Sequence, residues 1–284
     1  MMRCEVITLF PDLILQVLGQ SMLKRAQEKG LLRVRVRNLR EYTDDRHQVA
    51  DDTPYGGGAG MVMKAAPIFR AVDAVCQDYR DTGGGHSGQH ETVPVRRSAE
   101  AESVPEATVR LIVPSPQGRL FCQRVAEELR DERRPIVFIC GHYEGMDERV
   151  RLGLRPEEIS IGDYVLTGGE LPALVMIDAA ARLIPGVLGD PESAREDSFA
   201  DSLLDYPQYT RPAEVRGLTV PDILLSGNHE AIRLWRRKEA LRNTYLKRPD
   251  LLRDRVLNEE DRRLLDDIVR DGAGRLSVKC GEEG

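Results

Sequence analysis

Residues 160–170 of this 284-residue chain read Ser-Ile-Gly-Asp-Tyr-Val-Leu-Thr-Gly-Gly-Glu, and this stretch decides the fold. An apolar pattern with Ile159 and Ile161 leads into it, and a long apolar stretch starts at Leu171 directly after it. Paired glycines between a strand and a helix are typical of a turn, and they also let a backbone approach a ligand closely. The stretch therefore predicts a strand, a loop and a helix in succession, with the loop as a candidate binding element.

Strands and helices alternate on the N-terminal side of this stretch. Apolar runs at 5–10, 109–113 and 136–140 predict buried strands, and residues 32–39 alternate apolar side chains with arginines. That alternation predicts a strand whose arginine face is exposed to solvent. Helical patterns lie between the strands, at 13–28, 67–79, 119–130 and 147–152. Strands separated by helical segments indicate an α/β fold with a parallel sheet.

Composition limits the class of protein. The chain is 41% apolar and 31% charged, which supplies a hydrophobic core and disfavours a membrane protein. The longest apolar stretch, 171–188, is interrupted by Asp178, Arg182 and Pro185, so it predicts a buried helix. The N-terminus enters a strand directly, and the five cysteines are scattered without a CxxC pair. We therefore expect no signal peptide, no membrane partner, and reduced thiols in a cytoplasmic protein.

The texture of the chain changes twice. Residues 81–107 are rich in glycine and poor in apolar anchors, which predicts a disordered insertion in the first domain, 1–188. Residues 189–203 are polar and acidic and read as a linker. The remainder, 204–284, predicts a helical domain with a flexible tail, and its main helices are expected at 228–245 and 259–270.

Charge is segregated along an acidic chain. The net charge is −6, yet residues 233–255 hold nine basic residues against three acidic ones, together with Trp235 and Tyr245. Such a helix is either an ordinary solvated surface or the basic footprint of a phosphate-binding face. The sequence alone leaves these two interpretations level.

Three glycine-bearing loops are predicted at strand ends, at 115–118, 140–145 and 162–169. They match neither the dinucleotide-binding pattern GxGxxG nor the P-loop pattern. Each loop alone is most simply a turn. Together they favour a ligand site, because ligands of open α/β sheets bind beyond the carboxyl ends of the strands.

Charged residues near these loops allow two interpretations. Glu144 is most simply part of an ordinary charged helix start, although a carboxylate on a glycine-flanked loop could also face a cationic ligand. Arg182 precedes the predicted linker and Asp197 lies within it, so the two residues stand on either side of the junction between the domains. They fit a surface ion pair, or a catalytic pair in which the Asp is a general base and the Arg stabilises developing negative charge.

Nine segments, in order along the chain, together resemble the TrmD family of bacterial tRNA (guanine-N1)-methyltransferases, which belongs to the SPOUT class. They are 7–11 (ITLFP), 52–61 (DTPYGGGAGM), 115–118 (SPQG), 141–149 (GHYEGMDER), 160–170, 182–188 (RLIPGVL), 196–199 (EDSF), 209–212 (YTRP) and 225–229 (LSGNH). The chain departs from the family in the 81–107 insertion and in Gln208, which stands where relatives often have His.

The resemblance implies a parallel-sheet SPOUT domain with a C-terminal trefoil knot, followed by a small all-helical domain. It also implies that S-adenosylmethionine, the methyl donor, binds in the knot loops 115–118, 141–145 and 161–169. Carried over residue by residue, the donor-binding set is Pro116, Gly141, Tyr143, Glu144, Ile161, Gly162, Tyr164, Val165, Leu166, Gly168, Gly169 and Pro172.

The family's chemistry implies methyl transfer to N1 of guanosine 37 of tRNA, immediately 3′ of the anticodon. Asp197 matches the family's general base, and Arg182 matches the residue that stabilises charge on O6. The resemblance further implies tRNA as substrate, a homodimer with shared active sites, and Mg²⁺, for which no motif identifies a site. Two alternatives stay open: a SPOUT methyltransferase with another RNA target, and a non-catalytic RNA-binding or ribosome-associated module.

Overall fold

The computed structural model describes residues 1–81, 108–189, 197–199, 201–253, 255–270 and 272. The predicted insertion lies outside these residues apart from Asp81, and so does most of the predicted tail. The chain divides into two compact units, Met1–Gly189 and Asp190–Gly284, and each is described by itself.

The first unit alternates strands and helices as the sequence predicts. In chain order its elements are β1 (Met2–Thr8), α1 (Pro11–Leu18), α2 (Ser21–Glu28), β2 (Leu32–Asn38), a 3-10 helix (Leu39–Tyr42), β3 (Asp51–Asp52), β4 (Val62–Met63), α3 (Ala65–Asp81), β5 (Arg110–Leu120), α4 (Gln123–Asp131), β6 (Ile136–Ile139), α5 (Glu148–Leu154), β7 (Glu157–Ser160) and α6 (Glu170–Ala181).

Five of these strands form one parallel sheet in the order β2-β1-β6-β5-β7, which confirms the predicted α/β class. The sheet is buried on both faces, as parallel sheets generally are. Ile14, Phe138 and Met176 belong to the core on one face, and Ile68 and Ile139 to the core on the other. Since all five strands run the same way, their carboxyl ends meet at one edge of the sheet.

Three predicted boundaries are wrong, and one of them is the helix expected over 119–130, which begins only at Gln123. The single helix expected over 13–28 is two helices, because Gly19 ends α1 with its amide bonded back to Leu15, and Ser21 adopts a positive φ of 47°. The strand expected over 109–113 continues to Leu120, with a shift in its pairing to β7 between Pro114 and Arg119. The loop predicted at 115–118 is therefore an irregularity within β5.

The arginine face predicted for β2 is not simply exposed. The Arg37 side chain is only 9% exposed and donates hydrogen bonds to Glu5 (2.8 Å) and Asp78 (2.6 Å). Glu5 is fully buried on β1 and also accepts a hydrogen bond from the Tyr79 hydroxyl of α3 at 2.9 Å. A buried carboxylate requires such partners, and the alternation of side chains cannot reveal that β2 and α3 supply them.

The second unit contains the two long helices that the sequence predicts. Its elements are β8 (Glu214–Val215), β9 (Leu218–Thr219), α7 (Asp222–Leu225), α8 (His229–Lys247), α9 (Asp250–Arg253) and α10 (Glu259–Arg270). Asn228 caps α8 by accepting a hydrogen bond from the Ala231 amide, and Leu203, Leu241 and Ile268 form a small core. The expectation of an all-helical domain is corrected by the short antiparallel pair β8–β9.

Among the described residues, none of the helices combines the length and the apolar character that crossing a membrane requires. The four described cysteines are free thiols, and three of them are buried. Burial raises the pKa of the Cys76 thiol to about 11.

Candidate active site

The loops at the carboxyl edge of the sheet surround a cleft of about 230 Å³. The segments around β5, β6 and β7 that the sequence singled out all contribute to its wall. Each of the twelve residues predicted for donor binding lines this cleft: Pro116, Gly141, Tyr143, Glu144, Ile161, Gly162, Tyr164, Val165, Leu166, Gly168, Gly169 and Pro172. The structure thus brings these residues together at one site.

The loop after β6 is held against the loop that leads into α6. The Gly169 amide donates a hydrogen bond to the Gly141 carbonyl at 2.8 Å, and His142 pairs with Gly168 through a β-bridge. A Cβ on Gly169 would lie 2.9 Å from the Cα of Cys140, a separation that real contacts essentially never show. Glycine at 169 is therefore required for the close approach of these two backbones.

The loop after β7 presents apolar side chains to the cleft. Gly162 has a φ of +151°, and the Ser160 hydroxyl bonds to both its amide and its carbonyl. The Tyr164 hydroxyl donates to the Ile161 carbonyl at 3.3 Å, which folds the ring back over the loop. Val165 is 86% exposed beside the cleft, so this loop offers apolar surface to a ligand.

The irregular part of β5 packs directly on β7. A Cβ on Gly118 would lie 2.2 Å from the backbone carbon of Glu158, so only glycine fits there. Ser115 accepts a hydrogen bond from the Gln117 amide at 3.2 Å, which shapes the turn that carries Pro116. The part of the cleft wall that β5 contributes is thus fixed by its packing against the neighbouring strand β7.

A further glycine-rich loop, at 56–60, lies beside the cleft, and the sequence did not place it there. The Glu144 amide donates to the Met61 carbonyl at 3.1 Å, and a Cβ on Gly60 would lie 2.4 Å from Glu144 Oε1. Asp147, close by, has the ordinary capping role: it accepts a hydrogen bond from the Arg149 amide at the start of α5. The glycine run at 56–60 indicates a loop that another backbone can approach, but no local pattern predicts that this loop packs on Glu144.

Sequence reasoning also missed Glu170, the first residue of α6. Its side chain is buried at 3% exposure, and its Oε1 accepts a hydrogen bond from the Thr8 hydroxyl at 2.6 Å. A carboxylate at a helix N-terminus is stabilised by the unpaired amides and the helix dipole. Burial, and then the charge of Glu170, raise the pKa of the Cys140 thiol far above its ordinary value.

The two residues predicted for catalysis lie in different units. Arg182 is the C-cap of α6 in the first unit, and its amide bonds back to Asp178 and Ala180. Asp197 lies in the second unit, at the start of the described segment 197–199. Their pairing at one site stays a prediction.

A magnesium site is not evident. Within the described ranges, no three His, Cys, Asp or Glu side chains gather in a group that could hold a metal ion. No chemical step below goes through the Mg²⁺ that the resemblance implies.

The arginines of α8 are largely paired with acidic neighbours. Arg233 donates a hydrogen bond to Glu260 at 2.8 Å, and Arg237 donates two hydrogen bonds, of 2.6 and 2.7 Å, to the buried Asp261. Tyr245 packs against the small core of this unit. These contacts favour the structural interpretation for part of the basic helix, since a paired guanidinium has less free charge for phosphate.

The parallel sheet and the cleft at its carboxyl edge define a class: α/β proteins that hold a small ligand between strand-end loops. The chain belongs to the tRNA (Guanine-1)-methyltransferase TrmD family, whose model matches residues 2–254.

Relatives that match this chain along nearly their full length support this assignment. A tRNA (guanine-N(1)-)-methyltransferase of Moorella thermoacetica is 53% identical over 269 residues, which is 95% of this chain and 97% of the relative. The protein of the same name from Dictyoglomus turgidum is 50% identical over 271 residues, 95% of this chain and 98% of the relative. Family membership therefore covers both units of the chain.

Proposed function

We propose that this protein transfers a methyl group from S-adenosylmethionine to N1 of guanosine 37 in tRNA, immediately 3′ of the anticodon. The observation that carries the proposal is that twelve residues, matched one by one to the donor-binding motifs, surround a single cleft. The relatives at about half identity are named for methylation of guanine N1 in tRNA.

The cleft suits a donor that is bound mainly by backbone. At Gly168 and Gly169 a Cβ would collide with neighbouring protein atoms, so glycine at both positions lets the loops of the cleft wall pack backbone against backbone. We expect the backbone of Ile161, Tyr164 and Leu166 to contact the adenosine side. The Glu144 carboxylate complements the positive charge of a sulfonium. The donor supplies an electrophilic methyl group.

Acceptor chemistry is assigned to Asp197 and Arg182. N1 of neutral guanosine carries a proton, so it becomes a nucleophile only when a base removes that proton. Asp197 accepts the proton, and the Arg182 guanidinium stabilises the negative charge that develops on O6. General-base assistance of this kind contributes about 10²–10⁴-fold to a rate. Positioning of the nucleophile against the methyl group supplies much of the rest.

A homodimer with shared sites forms part of the proposal. Phe10, Leu13 and Leu171 line a second cavity, of about 320 Å³, that shares His142 and Gly168 with the donor cleft. Each of these three apolar side chains is at least 38% exposed. Contiguous exposed apolar surface marks an interaction site. A second copy of this chain is the occupant we infer, and sedimentation velocity tests it: a monomer at micromolar concentration would remove this part.

Several finer features complete the proposal. The knot would be formed by the three loops that surround the cleft. The second unit would help to bind tRNA, and the protein would act in the cytoplasm. Asn243 donates to the Asp205 carbonyl at 2.8 Å, and Gln208 donates to the Asp205 carboxylate at 3.3 Å. Gln208, the residue that departs from the family, thus has a local partner in the Asp205 carboxylate.

The test is a methyl-transfer assay with tRNA transcripts that carry guanosine or another base at position 37. We expect transfer to the first transcript alone, with the product methylated at N1. Methylation at another site would favour a different RNA target within the same class. Calorimetry that detects no S-adenosylmethionine binding would instead favour a non-catalytic RNA-binding module.

A further inference from the structure

The segment that carries Asp197 is tied down by the second unit. The Ser198 hydroxyl accepts a hydrogen bond from the Asp205 amide at 3.0 Å, and the Phe199 amide donates to the Leu203 carbonyl at 2.7 Å. Leu203 is 4% exposed within the small core. Asp197 is therefore directly followed by a turn, closed by the Phe199–Leu203 hydrogen bond, that contacts with the rest of the second unit hold in place.

This turn contains two residues in an uncommon backbone conformation. Phe199 has a φ of 73° and Ser202 a φ of 52°, although neither is glycine. Such conformations persist where surrounding contacts hold them. The contacts that could do so here belong to Asp201 and to the Arg248 guanidinium, which lies 5.8 Å above the Phe199 ring.

Asp201 receives two arginines from separate parts of the unit. Arg237 of α8 donates to Asp201 Oδ2 at 2.9 Å, and Arg255, which follows α9, donates to the same oxygen at 2.8 Å. Arg255 also donates to the Asp201 carbonyl, so it fixes the backbone as well as the side chain. Burial raises the pKa of Asp201, but the hydrogen bonds from Arg237 and Arg255 outweigh it and lower that pKa.

Arg237 is itself oriented by a buried partner. Its guanidinium makes two hydrogen bonds to Asp261, whose side chain is 2% exposed. The set of Asp201, Arg237, Arg255 and Asp261 is therefore electrically balanced, with two arginines and two aspartates. Arg237 and Arg255 are paired with these aspartates, so they have less free charge with which to bind phosphate.

We propose that Asp201 is a positioning residue for the reaction: with Arg237 and Arg255 it fixes the turn that presents Asp197 to the proton on guanosine N1. The proposal rests on the proposed function, in which Asp197 is the base. A general base must lie within hydrogen-bond reach of its proton, and a displacement of about 1 Å can cost about 10²-fold in rate. Two guanidiniums that converge on one carboxylate restrict this displacement.

Exposure separates this role from a general contribution to stability. The Asp201 side chain is 60% exposed, while its partners Arg237 and Arg255 are 25% and 14% exposed, and an ion pair open to solvent on one side contributes about 1 kcal/mol or less to global stability. The Asp201→Asn substitution should therefore leave the melting temperature nearly unchanged. The matched control is Glu260→Gln, since Glu260 is likewise an acidic partner of an arginine on α8, Arg233, but does not contact the turn.

The experiment measures steady-state methyl transfer by the full chain, with Asp197→Ala as the reference for a lost base. For Asp201→Asn we expect kcat to fall about 10- to 100-fold, with KM for tRNA and the affinity for S-adenosylmethionine within about threefold of wild type. Arg255→Lys should retain more of kcat than Arg255→Gln, because it keeps one charged donor. Unchanged kcat in Asp201→Asn, with Asp197→Ala inactive, would overturn the proposal and leave the proposed function standing.

Hydrogen exchange supplies a readout that does not depend on catalysis. The amides of Ser198, Phe199 and 201–203 should exchange faster in Asp201→Asn than in wild type or Glu260→Gln, because local opening becomes easier. Equal exchange in all three proteins would overturn the proposal even if the protein proved inactive on tRNA. Activity that survives in Asp197→Ala would instead remove the base role, a separate failure of the proposed function.

Discussion

Thr8 and Glu170 are 162 residues apart, and their side chains meet inside the first unit, where the Thr8 hydroxyl donates to the buried Glu170 carboxylate at 2.6 Å. The contact joins the end of β1 to the first turn of α6. The same Thr8 oxygen accepts a hydrogen bond from the Phe10 amide at 2.8 Å. It thereby connects the edge of the sheet with the loop that carries Gly168 and Gly169.

Removal of this hydroxyl should destabilise the fold. Thr8→Val keeps the shape of the side chain but leaves a buried carboxylate oxygen without its donor, which costs about 1–3 kcal/mol. Thr8→Ser keeps the donor and is the matched control. Urea denaturation measures the free energy of unfolding. Equal values for Thr8→Val and wild type would show that another group satisfies Glu170.

The close approach at Gly169 predicts a loss of donor binding. A Cβ there would lie 2.9 Å from the Cα of Cys140 and 3.0 Å from the Gly141 amide, and backbone atoms cannot yield cheaply. We expect Gly169→Ala to weaken S-adenosylmethionine binding by at least about tenfold, since about 1.4 kcal/mol of strain has that effect. Gly189→Ala is the control, because a Cβ at 189 would meet no atom within 4 Å. Calorimetry that gives one affinity for both variants would contradict the prediction.

The buried pair of Glu5 and Arg37 predicts a larger loss of stability. Arg37→Met removes the closest cation from a fully buried carboxylate, and breaking a buried pair costs about 3–5 kcal/mol. Arg263→Met is the comparison, since Arg263 and Glu259 form an exposed pair that contributes about 0–1 kcal/mol. Thermal and urea unfolding should separate the two variants clearly. A loss below about 1 kcal/mol in Arg37→Met would show that water reaches Glu5.

The buried thiols predict selective alkylation and a pH dependence. At pH 8 we expect Cys122, which is exposed, to react quickly with iodoacetamide, while Cys4, Cys76 and Cys140 stay protected. Burial raises the pKa of Cys76 from 9.0 to about 11, so the folded state keeps this thiol neutral. Above pH 9 the unfolded chain loses that proton first, and the contribution to stability falls as pH rises towards 11. Mass spectrometry of peptides identifies the modified positions; rapid labelling of Cys76 in the native protein would contradict its burial.

Much of the first unit could be predicted because its strands and helices differ clearly in apolar period. The parallel direction of the strands and the convergence of three glycine loops follow from the alternation of elements, whereas the order of the strands was not predicted. The break at Gly19 was not predicted, since an isolated glycine is tolerated in many helices. The burial of Arg37 was missed because its partner Glu5 lies on another strand.

Long-range partners explain the remaining gaps at the site. Nothing local in the sequence indicates that Glu170 is buried against Thr8 of β1, or that the glycine run at 56–60 packs on Glu144. The pairing of α8 with α10 likewise changes the meaning of Arg233 and Arg237. These contacts depend on tertiary packing, which no local pattern contains.

The most direct test of the central claim is single-turnover methyl transfer by Asp197→Ala to a tRNA transcript with guanosine at position 37. The proposed mechanism predicts a fall of at least about 10²-fold in the rate of N1 methylation, because the proton on N1 has no acceptor. The affinity for S-adenosylmethionine, measured by calorimetry, should remain within about twofold of wild type. A variant that methylates N1 at the wild-type rate would contradict the assignment of Asp197 as the general base.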